Sequence, residues 1–196
     1  MNKFLATLLI SFSLISFPSW AADFDKGVAA YQSGDYATAL REWTPLAEQG
    51  YAEAQYNLGL MYKAGQGVPQ DYKTAVKWFS LAAEQGDAGA QLALGNRYYN
   101  GEGVPQDYKT AAKWFSLAAE QGDADAQFNL GLMYRNGQGV LQDNIYAHMW
   151  GNIASSNGSE NGGKLRDIVA EDMTPAQLEK AQDLARECVA KEYKGC

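Results

Sequence analysis

The chain has 196 residues, and 46% of them are hydrophobic, which is sufficient for one domain with a substantial core. Its formal net charge is −7 at neutral pH. Since an acidic surface repels phosphate backbones and anionic lipid, we expect neither nucleic acid nor a lipid surface as a binding partner.

The N-terminal segment, residues 1–21, is predicted to be a secretory signal peptide. Lys3 supplies a positive charge, an apolar run follows over 4–17, and Ser19 and Ala21 are small residues placed for cleavage. A membrane anchor is the alternative, but the run is shorter than the ~20 apolar residues that a span needs. We therefore expect an exported protein, periplasmic or secreted, without a stable membrane anchor.

The chain then repeats with a fixed period. Three consecutive blocks of 36 residues share a pattern of apolar residues and glycines, and a shorter segment before them matches the second half of a block. A period of this length indicates stacked helical hairpins. The predicted units are an N-terminal half repeat at 22–50, full repeats at 51–86, 87–122 and 123–158, and a C-terminal helical cap at 159–196.

Each block predicts two helices, which we call helix A and helix B. In the first block, helix A covers about 52–63 and helix B about 72–85, where apolar residues such as Ala75 and Phe79 recur at helical spacing. Gly59 lies inside helix A and recurs in the following blocks. Because glycine costs a helix about 1 kcal/mol relative to alanine, its recurrence indicates that a neighbouring helix packs closely there.

The link between the two helices is equally regular. Gly65 and Gly67 suit a left-handed turn, Pro69 cannot continue a helix, and Asp71 is a good N-cap for helix B. The recurring carboxylates at Asp71 and its equivalents could alternatively form a row of calcium ligands. We favour helix capping, because it accounts for all of them from the same turn.

These residues resemble the Sel1-like repeat family, which is related to the tetratricopeptide (TPR) repeats. The shared elements are an A-x-A-Q-x-x-L-G start, a G-x-G-V turn and a W-x-x-x-A-A second helix. The third block departs from the pattern, since Leu141 replaces the proline and the aromatic residues at 147–150 are interpreted as shifted. The resemblance implies an all-α fold, a right-handed α-solenoid of Sel1-like and TPR-like helical hairpins with a C-terminal capping helix.

The C-terminal segment is predicted to be the cap. A loop over 155–163 should precede a helix at 164–170, and Thr174, Pro175 and Gln177 predict the start of a final helix.

The two cysteines of the chain, Cys188 and Cys196, are predicted to form a disulfide. An even number of cysteines in an exported chain favours pairing, and their spacing is not that of a Cys-x-x-Cys redox pair. Closing so short a loop should stabilise the protein by roughly 2.5 kcal/mol.

No catalytic residue, cofactor or metal is predicted. His148 is the single histidine and lacks further ligands for a zinc site. The glycine-rich stretch 158–164 superficially resembles a phosphate-binding loop, but no Ser or Thr follows Lys164, and we interpret the stretch as a flexible linker. Some exported relatives are described as β-lactamase-like, yet Lys73 and Thr74 lack the glycine that should follow them in such enzymes.

The repeats also indicate where a partner would bind. Positions that differ between the copies lie mostly on helix A and its exit, and in TPR-related solenoids helix A lines the concave groove. Six of them are candidate protein-binding residues: Asn57, Met61, Asn96, Arg97, Tyr99 and Arg135. The leading interpretation is a monomeric scaffold or adaptor that binds a protein or peptide on its concave face. A cell-wall-active or β-lactamase-like hydrolase is the alternative, and a purely structural spacer is a third possibility.

Overall fold

The structure is a computed structural model that describes residues 22–196, and the predicted signal peptide at 1–21 lies outside the described residues. The described part of the chain contains ten α-helices and no strand. In chain order the helices are α1 (Phe24–Gln32), α2 (Tyr36–Glu48), α3 (Ala52–Ala64), α4 (Tyr72–Glu84), α5 (Ala88–Asn100), α6 (Tyr108–Ala119), α7 (Ala124–Asn136), α8 (Asn144–Ser156), α9 (Glu160–Ala170) and α10 (Pro175–Ala190). None of these ten is both long and apolar enough to cross a bilayer.

The first eight helices form four hairpins. Within each hairpin the two helices pack against each other, and the second helix also packs on the first helix of the next hairpin. The protein is therefore an all-α repeat solenoid, as predicted. The segment at 22–50 forms a hairpin of its own, in which α1 is shorter than the later first helices and lacks their Ala-x-Ala-Gln pattern.

A glycine of helix A and an aromatic ring of helix B hold each of the first hairpins together. A Cβ atom on Gly59 would lie 2.5 Å from Cδ1 of Phe79, so the ring lies directly on the backbone of α3. Gly27 and Trp43 make the same contact in the first hairpin. The prediction that close helix packing explains the recurring glycine is confirmed.

The turn between the helices also follows the sequence pattern. Gly65 ends α3 in the left-handed region with φ of 70°, and Asp71 caps α4 by accepting hydrogen bonds from backbone N–H groups of its first turn. Asp107 and Asp143 cap α6 and α8 in the same way. The hydrogen bond from the Thr74 side chain is the main cause that lowers the pKa of Asp71. Helix capping is thus confirmed as the role of this recurring carboxylate.

A buried glutamine near the start of helix A links successive hairpins. Gln127 is fully buried; its Nε2 donates to the Ala119 carbonyl at 3.1 Å and its Oε1 accepts from Nδ2 of Asn157 at 2.9 Å. Gln55 and Gln91 make equivalent pairs of hydrogen bonds at the two preceding junctions. Both ends of the amide are therefore used, which explains why the repeat carries glutamine at this position.

We expect Gln127→Leu to lower the free energy of unfolding by about 1–2 kcal/mol, because it removes two hydrogen bonds from a buried site while nearly preserving volume. Chemical denaturation of the purified protein measures this. Gln142→Leu is a matched control, since the exposed Gln142 donates a single bond at 2.9 Å to the Arg135 carbonyl and its loss should cost less than about 0.5 kcal/mol. Equal losses in the two variants would contradict the role assigned to the buried amide.

The first helix of the cap begins earlier than predicted. α8 ends at Ser156 and α9 begins at Glu160, so the loop expected at 155–163 is wrong. The Ser159 side chain caps α9 by accepting from the Gly162 N–H at 3.2 Å. The interpretation of the glycine-rich stretch as a flexible linker is wrong for the same reason, because most of that stretch is helical.

A single replacement in α8 makes room for α9. Trp150 keeps the register of the tryptophans in the earlier blocks, whereas Gly151 stands where the first block carries Phe79. The interpretation of a shifted aromatic is therefore corrected to the loss of one ring. Leu165 of α9 fills the vacated space, since a Cβ atom on Gly131 would lie 3.0 Å from its Cδ2.

The last residues fold back onto the third Sel1-like repeat. A disulfide joins Cys188 and Cys196, whose Cα atoms are 5.5 Å apart. Between them, the Tyr193 hydroxyl donates to Oδ1 of Asn157 at 3.1 Å. Because Asn157 also donates to Gln127, the cross-linked tail extends the chain of polar contacts that runs along the repeats.

Candidate functional site

The candidate binding surface lies on the first helices of two consecutive hairpins. Asn57 and Leu60 of α3 and Ala93 and Asn96 of α5 are half-buried, and we call these four residues the helix-A face. The members of each pair are three residues apart, which places them on the same side of their helix. The two pairs are one repeat apart, so the same side of both helices contributes.

The structure brings only some of the six predicted binding residues to this face. Of the six, Asn57 and Asn96 belong to the helix-A face. Met61 and Arg97 are 0% and 6% exposed, which corrects the prediction at these two positions, because they pack in the core between hairpins. Tyr99 is half-buried, and its hydroxyl donates to Oε1 of Gln138 in the next repeat at 3.0 Å. Arg135 is half-buried near the end of α7.

Sequence differences between the repeats do not distinguish buried positions from surface positions. A position can differ because a partner contacts it or because one repeat carries an unusual core residue, and Arg97 is of the second kind. Helical spacing would have predicted the burial of Met61, because Met61 lies three residues after the buried Leu58 and therefore on the same side of α3.

α9 covers the corresponding face of the third Sel1-like repeat. Leu132 of α7, which corresponds to Leu60 and Asn96, packs together with Phe128 against Leu165 and Val169 of α9 in one apolar cluster. The candidate surface is therefore confined to the hairpins that precede α7.

A cavity of about 500 Å³ lies in the cap, beside His148. Burial lowers the pKa of His148, and the nearby positive charge of Arg166 lowers it further. The remaining polar side chains that line the cavity are Asn152, Gln182 and Arg186, none of which is a nucleophile. No group of three or more His, Cys, Asp or Glu side chains within 22–196 is arranged to hold a metal ion.

Stacked helical hairpins joined by glycine–aromatic contacts and buried glutamines define an α-solenoid repeat protein. The Sel1 repeat matches residues 52–87, 88–123 and 124–159 in direct succession. The chain therefore belongs to the Sel1 repeat family, whose members generally act as scaffolds for interactions with other proteins.

Solved structures of other proteins share the fold. One is c5321, a protective antigen present in uropathogenic Escherichia coli strains displaying an SLR fold, which is 29% identical with a TM-score of 0.61 over 87% of this chain and 46% of that one. This chain thus spans less than half of that structure. A Sel1 repeat protein from Oxalobacter formigenes is 34% identical, with a TM-score of 0.61 over 66% of this chain and 98% of that one.

The third structure, Helicobacter pylori cysteine rich protein B, is 23% identical, with a TM-score of 0.53 over 67% of this chain and 94% of that one, and it supports the fold alone. No curated protein matches the chain.

Proposed function

We propose that the protein is an exported scaffold that binds an extended segment of a partner protein along the helix-A face, on the concave side of the solenoid. The observation that carries this proposal is that the same two repeat positions are half-buried on two consecutive first helices, at Asn57 and Leu60 of α3 and at Ala93 and Asn96 of α5. Behind them, Gly59 and Gly95 contact the rings of Phe79 and Phe115, and these contacts fix the position of each helix.

The chemistry of the face favours a peptide backbone as the bound group. A primary amide such as that of Asn57 or Asn96 offers both donors and an acceptor, which match the C=O and N–H groups of an extended chain. Leu60 and Ala93 supply a shallow apolar contact between them. Since the four side chains carry no charge, the face should select a partner by shape and main-chain hydrogen bonds rather than by net charge.

Export is part of the proposal. The predicted signal peptide and the disulfide between Cys188 and Cys196 both support it, because disulfides form and persist in oxidising compartments.

Site-specific photocrosslinking in the native cell tests the binding face. A photoreactive residue at position 57 or 96 should give discrete protein adducts, whereas the same residue at 77 or 113 should not. Lys77 and Lys113 are matched control sites, because they are exposed on the second helices of the same two repeats. The same adducts from all four positions, or adducts from the control positions alone, would contradict the proposal.

A second test uses substitutions on the same two faces. The double variant Asn57→Ala with Asn96→Ala should lose partner binding by roughly tenfold or more, since each lost hydrogen bond costs about 1 kcal/mol. The double variant Lys77→Ala with Lys113→Ala should bind as the parent does. Unchanged binding in the asparagine variant would instead favour the structural-spacer interpretation.

The hydrolase alternative rests on the resemblance to exported relatives and gains no specific contact from the structure. The side chains that line the cavity beside His148 are arginines, amides and apolar groups. A nitrocefin assay and a muropeptide digest with the mature protein test it, and turnover in either would support the alternative.

A further inference from the structure

The cap contains an open cavity that is lined by three of its helices. α9 and α10 both pack on α8, but they barely touch each other, so they do not form a hairpin. The space of about 500 Å³ between the three helices is lined on its polar side by His148, Asn152, Arg166, Gln182 and Arg186. These residues have no role in the proposed peptide-binding face, which lies on α3 and α5.

Two arginines line this one cavity in a protein whose net charge is −7. Nε of Arg166 donates to Oδ1 of Asp167 at 2.8 Å, and Arg186 forms an ion pair with Asp183. A guanidinium has five N–H donors, and one neighbouring carboxylate uses only part of them. Each arginine therefore retains donors for a bound group.

His148 adds a polar atom that the fold leaves unused. Its residue is 4% exposed, and Nδ1 is buried without a hydrogen-bond partner among the described residues. Buried polar atoms are nearly always paired in folded proteins, so an orphaned nitrogen needs an explanation. Because this nitrogen has almost no accessible surface, a ligand in the cavity that His148 lines could become its partner only if the imidazole ring rotates.

We propose that the cap cavity binds a small ligand that carries a carboxylate, of amino-acid to dipeptide size. Arginine forks match a carboxylate, the amides of Asn152 and Gln182 can hydrogen-bond a neutral polar part, and Leu178 provides an apolar wall. The cavity volume falls within the range of small-molecule sites. The site does not depend on the proposed function of the helix-A face.

The carboxylate could belong to a free dicarboxylate or to the end of a peptide chain, and isothermal titration calorimetry on the mature protein distinguishes them. The probes are succinate, N-acetyl-dialanine and the C-terminal amide of N-acetyl-dialanine. We expect saturable binding of at least one carboxylate probe, and the amide should bind roughly tenfold more weakly than its free acid. Tighter succinate binding identifies a free dicarboxylate, and tighter dipeptide binding identifies a chain end. If neither acid binds at millimolar concentration, the proposal fails.

Variants connect that binding to the cavity. Arg166→Gln and Arg186→Gln should each weaken the better probe by roughly tenfold, whereas Arg41→Gln should leave its affinity unchanged. Arg41 is a matched control, because it also pairs with a neighbouring carboxylate, that of Glu42, but lies on α2 outside the cap. Unchanged affinity in both cap variants, or an equal loss in the control, would overturn the proposal.

The single histidine gives an independent readout. Because the chain contains one histidine, the imidazole signals in an NMR spectrum belong to His148 without further assignment. Saturation with the bound carboxylate should shift these signals in the parent protein. Calorimetric binding that leaves the imidazole signals unmoved would place the ligand elsewhere and overturn the assignment to this cavity.

Discussion

Gly162→Ala should lower the free energy of unfolding by about 3 kcal/mol, as expected for overpacking that side chains cannot relieve. Gly163→Ala, one residue further along the same helix, should leave stability unchanged or raise it by up to about 1 kcal/mol, because alanine favours helix over glycine. The two substitutions are chemically identical, so the difference between them isolates packing.

The surroundings of the two glycines account for the difference. A Cβ atom on Gly162 would lie 2.6 Å from Cβ of Ala154 and 2.8 Å from the backbone N of Ser155, atoms that no rotamer change can move. A Cβ atom on Gly163 would lie 3.1 Å from Oγ of Ser155, which can rotate away. Alanine at 162 would therefore push α9 off α8 and withdraw Leu165 from its place over the third repeat.

Urea denaturation of the two variants beside the parent measures the effect. Hydrogen exchange adds a local reading, since separation of α9 should increase exchange in α9 and α7 before it affects α3. Destabilisation of similar size by both substitutions would contradict the packing argument.

That Gly162 and Gly163 lie in a helix could not be predicted from the sequence. The repeat period predicted the hairpins, their turns and their caps, because each signal recurs and is local. Gly162 and Gly163 instead indicate a loop by local propensity, and their helix exists because tertiary packing overrides that propensity. Only knowledge that Gly151 lies across from them on α8 would have predicted close contact.

The candidate sites divide in a similar way. Asn57 and Asn96 could be found by comparing copies, since both vary and both lie on helix A. The cap cavity could not be found in this way, because Arg166 and Arg186 lie on different helices. They line one cavity with His148 only because α9 and α10 both pack on α8. The sequence showed a lone histidine and scattered arginines, and long-range packing brings them to one place.

Arg97 occupies the place of a core methionine. Met61 and Met133, one period before and after it, are fully buried, and Arg97 is 6% exposed. Its guanidinium forms an ion pair with Glu102 and lies 5.4 Å from the centre of the Tyr72 ring, while its buried Nε has no hydrogen-bond partner within residues 22–196. The middle repeat thus buries a charge whose hydrogen bonding is incomplete.

Glu102 is equally unusual, since Gln66 and Gln138 stand at its position in the other two repeats. We expect Glu102→Gln to destabilise the protein by about 2 kcal/mol, because it leaves the buried guanidinium of Arg97 without its counter-charge. The figure lies below the usual cost of breaking a buried pair because the Glu102 side chain is 36% exposed. The substitution is therefore harmful although it restores the residue that the neighbouring repeats carry.

The double variant Arg97→Met with Glu102→Gln should reverse the sign and be about 1–2 kcal/mol more stable than the parent, since well-packed apolar residues often outperform a buried ion pair. Urea denaturation of the parent, the two single variants and the double variant gives the coupling energy directly. If Glu102→Gln has the same effect with Arg97 and with methionine at 97, the two residues are not coupled. A strong coupling would explain why the middle repeat differs from its neighbours at both positions together, because each replacement is tolerated only in the presence of the other.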